Sequence, residues 1–171
     1  MKKSILILAF IGMITLQSCS TSNDNNVDND TISEVFELRN INFGFDATNG
    51  FTIYQTLNPQ IRLDDVILIY RLSGTIDSNT PIWRQIPRTL YLNEGELDYD
   101  FDFSKEDFTI YAGGTYDLAL TPNYINNQTF RIVIIRGYLS NKMKVGLDLS
   151  DYNAVVNAFH IDQSNIKVLN K

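Results

Sequence analysis

Three aspartates recur at every second position of one short segment. Asp98, Asp100 and Asp102 alternate with apolar and aromatic residues in the run 97–103. Because side chains of a strand point alternately to its two faces, these carboxylates are predicted to share one face. Carboxylate oxygens are ligands that Ca²⁺ prefers, so the row is a candidate Ca²⁺ site, and we expect no other cofactor. The interpretation that we favour is an exposed acidic face that discourages pairing with other sheets.

The other residue with distinctive chemistry is the single cysteine, Cys19. It follows an apolar run at 5–16, which is preceded by the basic residues Lys2 and Lys3. The run is shorter than the ~20 apolar residues needed to cross a bilayer, so it predicts a signal peptide and not a membrane span. The alternative is an ordinary secretory signal followed by a chance cysteine.

The segment Leu16-Gln17-Ser18-Cys19 resembles the lipobox of bacterial lipoproteins. The resemblance implies signal cleavage after Ser18 and attachment of membrane lipid to Cys19, as a thioether-linked diacylglycerol with a further acyl chain such as palmitate. Several chains make such anchoring stable, since each buried CH₂ contributes ~0.8 kcal/mol. A lone cysteine forms no disulfide within the chain, and an acylated sulfur is not available as a catalyst.

Composition divides the chain into three parts. We predict a signal peptide at 1–18, a lipidated cysteine with a flexible polar tether at 19–33, and one domain at 34–171. The whole chain has 14 Lys and Arg against 20 Asp and Glu; loss of Lys2 and Lys3 with the signal leaves 12 against 20, a net charge of −8. No basic stripe is evident, so nucleic acid is not an expected partner.

The domain reads as mainly β, an antiparallel β-sandwich of immunoglobulin-like or similar type. A change of hydrophobic phase near Asn40 predicts a bulge, and Asn49-Gly50 predicts the turn of a hairpin over 41–55. The continuous apolar run at 66–72 predicts a central strand covered on both faces, and 130–138 predicts a second strongly apolar strand. Shorter strands are predicted at 82–86, 89–92, 97–103, 108–111, 116–120 and 166–169, with a turn at Gly113-Gly114.

One short helix is predicted near the end of the chain. Ser150 is the expected N-cap, with Asp151 at the positive end of the helix dipole. The apolar face of the helix is expected to pack over one end or edge of the sandwich, through the residues Tyr152, Val155, Val156 and Phe159. His160, the only histidine, falls at the end of the helix, where a capping or surface role is expected.

The chain is rich in aromatic residues, with 10 Phe, 9 Tyr and 1 Trp. Trp83 and Tyr99 are candidate ligand-binding residues on a flat surface that would stack on sugars or peptides. The alternative is that the aromatics serve strand propensity and core packing. No motif for a nucleophile, a phosphate loop or a zinc site is present, so we predict no catalytic residues and no enzyme activity.

Several segments resemble uncharacterised lipoproteins of the Bacteroidota, of flavobacterial type, some of which carry a collagen-like segment after the cysteine. The resemblance is carried by residues 36–43, 66–71, 82–87, 128–134 and 150–155. It implies an outer-membrane lipoprotein, on the periplasmic face or the cell surface, and assigns no activity. We expect a non-enzymatic structural or interaction module with an unknown envelope protein or glycan as partner. The alternatives are a glycan- or peptide-binding protein that uses exposed aromatics and, less favoured, a hydrolase.

Overall fold

The computed structural model describes residues 33–137, 146–164 and 166–169, and the predicted signal peptide and most of the tether lie outside these ranges. The strands are β1 Glu34–Ile41, β2 Gly44–Asp46, β3 Gly50–Thr56, β4 Val66–Thr75, β5 Pro81–Ile86, β6 Arg88–Tyr91, β7 Glu96–Phe103, β8 Asp107–Gly114, β9 Gln128–Ile135 and β10 Lys167–Leu169. The helix α1 spans Tyr152–Ala158, and single 3₁₀ turns lie at Leu118–Leu120 and Pro122–Tyr124.

The strands form two five-stranded sheets. Sheet A has the order β10-β1-β9-β4-β5, and sheet B has the order β2-β3-β8-β7-β6. Pairing is antiparallel throughout except between β1 and β10, which run parallel. The prediction of a mainly β, sandwich-like fold with one short helix is therefore confirmed.

A hydrophobic core fills the space between the sheets. Sheet A contributes Phe36, Leu38, Ile67, Ile69, Ile86, Phe130, Ile132 and Ile134, and sheet B contributes Ile53, Leu97, Tyr99, Phe108, Ile110 and Ala112. These residues occupy alternate positions of their strands, as expected for the inward face of each sheet. In β7 the inward residues Leu97 and Tyr99 alternate with the aspartates.

The helix covers the outer face of sheet A, and this corrects the prediction that it packs over an end or edge. Val155 and Val156 of α1 belong to a second buried cluster with Leu68, Tyr70 and Val133 of the central strands β4 and β9. Both faces of these two strands are thus buried, which explains why their sequences are continuously apolar instead of alternating.

The ends of α1 follow from side-chain and backbone capping. The N-cap is Asp151, one residue later than predicted, and its Oδ1 accepts hydrogen bonds from the backbone N of Asn153 and Ala154, at 2.9 and 3.1 Å. His160 is exposed and has a φ of 52°, which ends the helix in the left-handed conformation. The backbone N of Ile161 then donates to the Val156 carbonyl oxygen at 3.0 Å, a Schellman-type closure.

The predicted bulge and hairpin are both present. Asn40 has a φ of 53°, and the register between β1 and β9 shifts between Leu38 and Ile41. The β2–β3 hairpin turns at Gly50, whose φ of 72° favours glycine. Asp46 Oδ1 supports the turn by accepting hydrogen bonds from two backbone N atoms, each at 2.9 Å.

Two predictions between β8 and β9 are wrong. Gly114 does not turn the chain but ends β8, where a Cβ would overlap the carbonyl oxygen of Glu96. The segment predicted as a strand at 116–120 instead contains the first 3₁₀ turn, capped by Asp117, whose side chain accepts a hydrogen bond from Ala119 N at 3.0 Å. The apolar run at 130–138 also forms a strand that ends earlier than predicted, since β9 ends at Ile135.

Candidate interaction surfaces

The outer face of sheet B is polar and acidic, and the described part of the chain places no helix or strand against it. The predicted row of aspartates lies there: Asp100 and Asp102 are exposed and Asp98 is half-buried. Their neighbours on β8 at this face are Gly113, Tyr111 and Thr109, each directly opposite one aspartate. The structure therefore leaves this acidic face open.

Two tyrosines on this face are held by carboxylates. The Tyr111 hydroxyl donates to Asp102 Oδ2 at 2.9 Å, and the Tyr54 hydroxyl donates to Asp107 Oδ2 at 3.1 Å. Each hydrogen bond raises the pKa of its tyrosine above the ordinary value, since the proton is shared with an anionic acceptor. The pairs orient two aromatic rings beside carboxylates on an open sheet.

The aspartate row does not assemble a cation site. Same-face neighbours along a strand are about 7 Å apart, and β7 spaces its carboxylates in this way. No group of three or more His, Cys, Asp or Glu side chains that could hold a metal ion occurs among the residues described. The Ca²⁺ interpretation of Asp98, Asp100 and Asp102 thus finds no geometric support.

Tyr99 is not available to a ligand, and its assignment as a binding residue is wrong. Its side chain is in the core at 1% exposure, next to the rings of Phe43 and Phe130. Its hydroxyl donates to the Tyr124 carbonyl oxygen at 2.6 Å, and burial raises its pKa. The alternative interpretation, core packing, is the one that holds for this residue.

Trp83, the second predicted ligand-binding residue, lies half-buried on the outer face of sheet A. The guanidinium of Arg131 lies 4.3 Å from its ring centroid, and the ring of Tyr152 lies 5.8 Å away. Its indole Nε1 is buried and has no hydrogen-bond partner among the described residues. Trp83 also borders a shallow cavity of about 320 Å³ with Asp148 and Asp151 on its rim.

A buried ion pair fixes Arg131 above Trp83. The side chain of Glu37 is only 5% exposed and accepts hydrogen bonds from Arg39 Nε at 2.7 Å and Arg131 Nε at 3.2 Å. Arg131 Nη1 further donates to the Tyr152 hydroxyl at 2.9 Å. These contacts tie Trp83 to sheet A and α1, so it does not form a shared aromatic surface with Tyr99, which lies in the core.

A second cavity, of about 350 Å³, lies beside β1 and β10. Amide side chains contribute to its lining, at Gln55, Asn58 and Gln60, together with the cations Arg136 and Lys167. The guanidinium of Arg136 already pairs with Asp65 at 2.8 Å and Glu34 at 2.9 Å. The charge of Arg136, directly after β9, is therefore paired within the chain.

Three arginines that the sequence did not single out lie on the strands around the passage from β5 to β6. Arg71 of β4 is directly opposite Arg84 of β5, and Arg88 of β6 is directly opposite Tyr99 of β7. Arg71 also reaches across to sheet B, with its guanidinium carbon 4.7 Å from the Tyr99 ring centroid. We call Arg71, Arg84 and Arg88 the arginine cluster.

By strand register, the positions of the arginine cluster lie on the inward faces of the sheets, and Arg84 also lines the cavity beside Trp83 that has Asp148 and Asp151 on its rim. Arg84 has the same parity as buried Ile86, and Arg88 is paired with the buried Tyr99. Arg71 is half-buried, its Nε donates to Gln128 Oε1 at 2.8 Å, and desolvation lowers its pKa. In sequence, only the short spacing of Arg84 and Arg88 around Pro87 hinted at this arrangement.

Comparisons with known proteins return no match: no family model, no curated protein and no solved structure corresponds to the chain. In the ranges that the structure describes, no helix is long and apolar enough to cross a bilayer.

Proposed function

We propose that the chain is a lipid-anchored domain of the bacterial cell envelope that acts as a non-enzymatic interaction module. Leu16-Gln17-Ser18-Cys19 supports the anchor, with Cys19 as the lipidated residue and the outer membrane as its location. The observation that carries the interaction role is the asymmetry of the sandwich. α1 seals the outer face of sheet A, whereas the described residues leave the outer face of sheet B open and polar.

The anchor is tested by mass spectrometry of the amino-terminal peptide from the natural host. We expect a peptide that begins at Cys19 and carries acyl chains, and we expect Cys19→Ala to remain unprocessed. Ser20→Ala is the matched control, since it alters the neighbouring residue without removing the sulfur. An unmodified Cys19 in the wild-type chain would refute the anchor. Protease treatment of intact cells then distinguishes the cell surface from the periplasmic face.

A glycan is a second candidate partner for the open face. The observation that favours it is the pair of tyrosines, Tyr54 and Tyr111, held beside Asp107 and Asp102. Aromatic rings stack on the apolar faces of sugars, and carboxylates accept hydrogen bonds from sugar hydroxyls. The aromatic binding surface that we propose is therefore on the outer face of sheet B, and not at Trp83 and Tyr99.

Affinity electrophoresis through gels that contain neutral envelope or plant polysaccharides tests the glycan candidate. We expect retardation of the wild-type chain and its loss in Tyr111→Ala. Tyr111→Phe separates stacking from the hydrogen bond to Asp102, because it keeps the ring. Phe45→Ala is the control, since Phe45 is 70% exposed on another strand, β2. Equal migration of all four proteins would count against this candidate.

A further inference from the structure

Among the described residues, the arginine cluster has no carboxylate partner, although the chain is rich in carboxylates. The chain has 20 Asp and Glu, yet no ion pair in the described ranges includes Arg71, Arg84 or Arg88. Like charges directly opposite each other on neighbouring strands are unfavourable, and Arg71 and Arg84 are such a pair. The cluster is therefore a local concentration of positive charge beside the free edge of β6.

Protection of sheet edges accounts for only part of the cluster. Charged side chains on edge strands prevent pairing with other chains, and Arg84 and Arg88 are on the edge strands β5 and β6. Arg71, in contrast, is in β4, one strand in from the edge, where Gln128 and the rings of Tyr99 and Tyr124 hold its guanidinium. Arg84 and Arg88 are exposed and have no ion pair in the described ranges, so their charge is available to an acidic partner.

We propose that the arginine cluster binds an extended acidic segment of a partner protein, which adds to the free edge of β6. β6 ends sheet B and includes no proline within Arg88–Tyr91, so its outer backbone groups are open to pairing. A residue opposite Arg88 in such a pairing shares its face, which places an acidic side chain beside Arg88 and close to Arg84. Guanidinium groups bind carboxylates through two parallel hydrogen bonds.

A peptide suits this surface better than an acidic glycan does. The free strand edge offers a row of backbone donors and acceptors, and only another peptide backbone complements that row at the strand repeat. The inference rests on the proposed interaction role, for which it names a partner class. It does not require the lipid anchor, so failure of peptide binding leaves the Cys19 experiment unaffected.

The test is fluorescence anisotropy with a labelled peptide of alternating Glu and Thr, titrated with the purified full chain in detergent. We expect binding that weakens as salt is added, because exposed charge pairs are screened. The same peptide with Gln in place of Glu, and the Glu peptide with N-methylated backbone, are both expected to bind weakly. Polygalacturonate as competitor represents the acidic glycan.

Substitutions in the chain give the decisive comparison. Arg84→Gln with Arg88→Gln is expected to weaken peptide binding about tenfold, since each exposed charge pair contributes a factor of about two to five. Lys105→Gln with Lys167→Gln is the matched control for the loss of two positive charges, and circular dichroism checks the fold of every variant. Unchanged affinity in the double variant, full binding of the N-methylated peptide, or binding of polygalacturonate alone would each overturn the proposal.

Discussion

The outer faces of the two sheets have opposite fates in the same sandwich. On sheet A, Val155 and Val156 of α1 bury Leu68 and Val133, so the face becomes a second core. On sheet B, the corresponding face carries aspartates, threonines and tyrosines, and no helix or strand among the described residues covers it. The inward faces of both sheets contribute residues to the shared core.

This difference shows that the hydrophobic pattern of a strand reflects how many of its faces are buried. β4 and β9 have two covered faces and read as continuous apolar runs, whereas β7 has one and alternates strictly. Covered faces are expected to contribute to stability and the open face to contribute little. Substitutions on the two faces test that division.

The largest effect is expected where α1 meets sheet A. Phe159→Ala removes a ring that is 7% exposed, and such core truncations cost about 3–5 kcal/mol of unfolding free energy. Tyr54→Ala on the open face, where the ring is 49% exposed, is expected to change stability far less. Urea denaturation followed by circular dichroism measures both. Equal losses would show that the open face is also covered in solution.

A smaller effect is expected from the ion pair beneath Arg131. Glu37→Gln leaves the guanidinium of Arg131 without its anionic partner at a nearly buried position, which we expect to cost about 2–3 kcal/mol. Glu106→Gln, the same change at a carboxylate that is 58% exposed and 3.8 Å from Lys105, is expected to cost about 0.5 kcal/mol or less. Thermal unfolding of the two variants in one buffer provides the comparison.

Alkaline pH is expected to destabilise the fold through its buried tyrosines. Burial raises the pKa of Tyr70 and Tyr99, so the folded chain holds these protons more tightly than the unfolded chain does. The resulting stability is present below the ordinary tyrosine pKa of about 10 and is lost as the pH rises above it. Tyr70→Phe, measured by unfolding at neutral and alkaline pH, is expected to reduce this loss. An unchanged pH dependence would contradict it.

The smallest effect is expected within the aspartate row. Asp100→Asn removes one of several like charges on an exposed face, which should raise stability by about 0.5 kcal/mol or less. The gain should disappear at high salt, since exposed charges are then screened. Chemical denaturation at low and high salt measures it. A clear loss of stability, with or without salt, would instead indicate that the hydrogen bond from Phe101 N to Asp100 Oδ1, at 2.8 Å, outweighs the repulsion.

Much of the fold was predictable from local sequence patterns, because hydrophobic periodicity and turn residues determine individual strands, bulges and helices. The hydrophobic phase change located the bulge at Asn40, and the apolar face of α1 located the helix. The prediction of a strand at 116–120 was wrong because the apolar residues of this segment alternate as in a strand. In the structure, Asp117 caps a 3₁₀ turn there and Leu118 is in the core. Where α1 would pack was not predictable from its own sequence, since an apolar helix face fits any apolar sheet face.

The candidate surfaces were less predictable, because they depend on which strands become neighbours. Tyr99 and Tyr111 are both tyrosines of alternating strands, and only the pairing of the sheets places one in the core and the other on the open face. The arginine cluster draws its members from separate strands of both sheets. Apart from the short spacing of Arg84 and Arg88, no sequence spacing indicates that these strands become neighbours.

The position of β1 has a mechanical consequence. β1 begins at Glu34, directly after the segment predicted to be the tether, and it lies inside sheet A between β9 and β10. A pull on the chain ahead of Ser33 loads β1 along its length, against hydrogen bonds that run across to both neighbours. These hydrogen bonds then share the load in shear instead of breaking one after another. The position of β1 therefore favours resistance of the domain to unfolding by a force on its amino-terminal side.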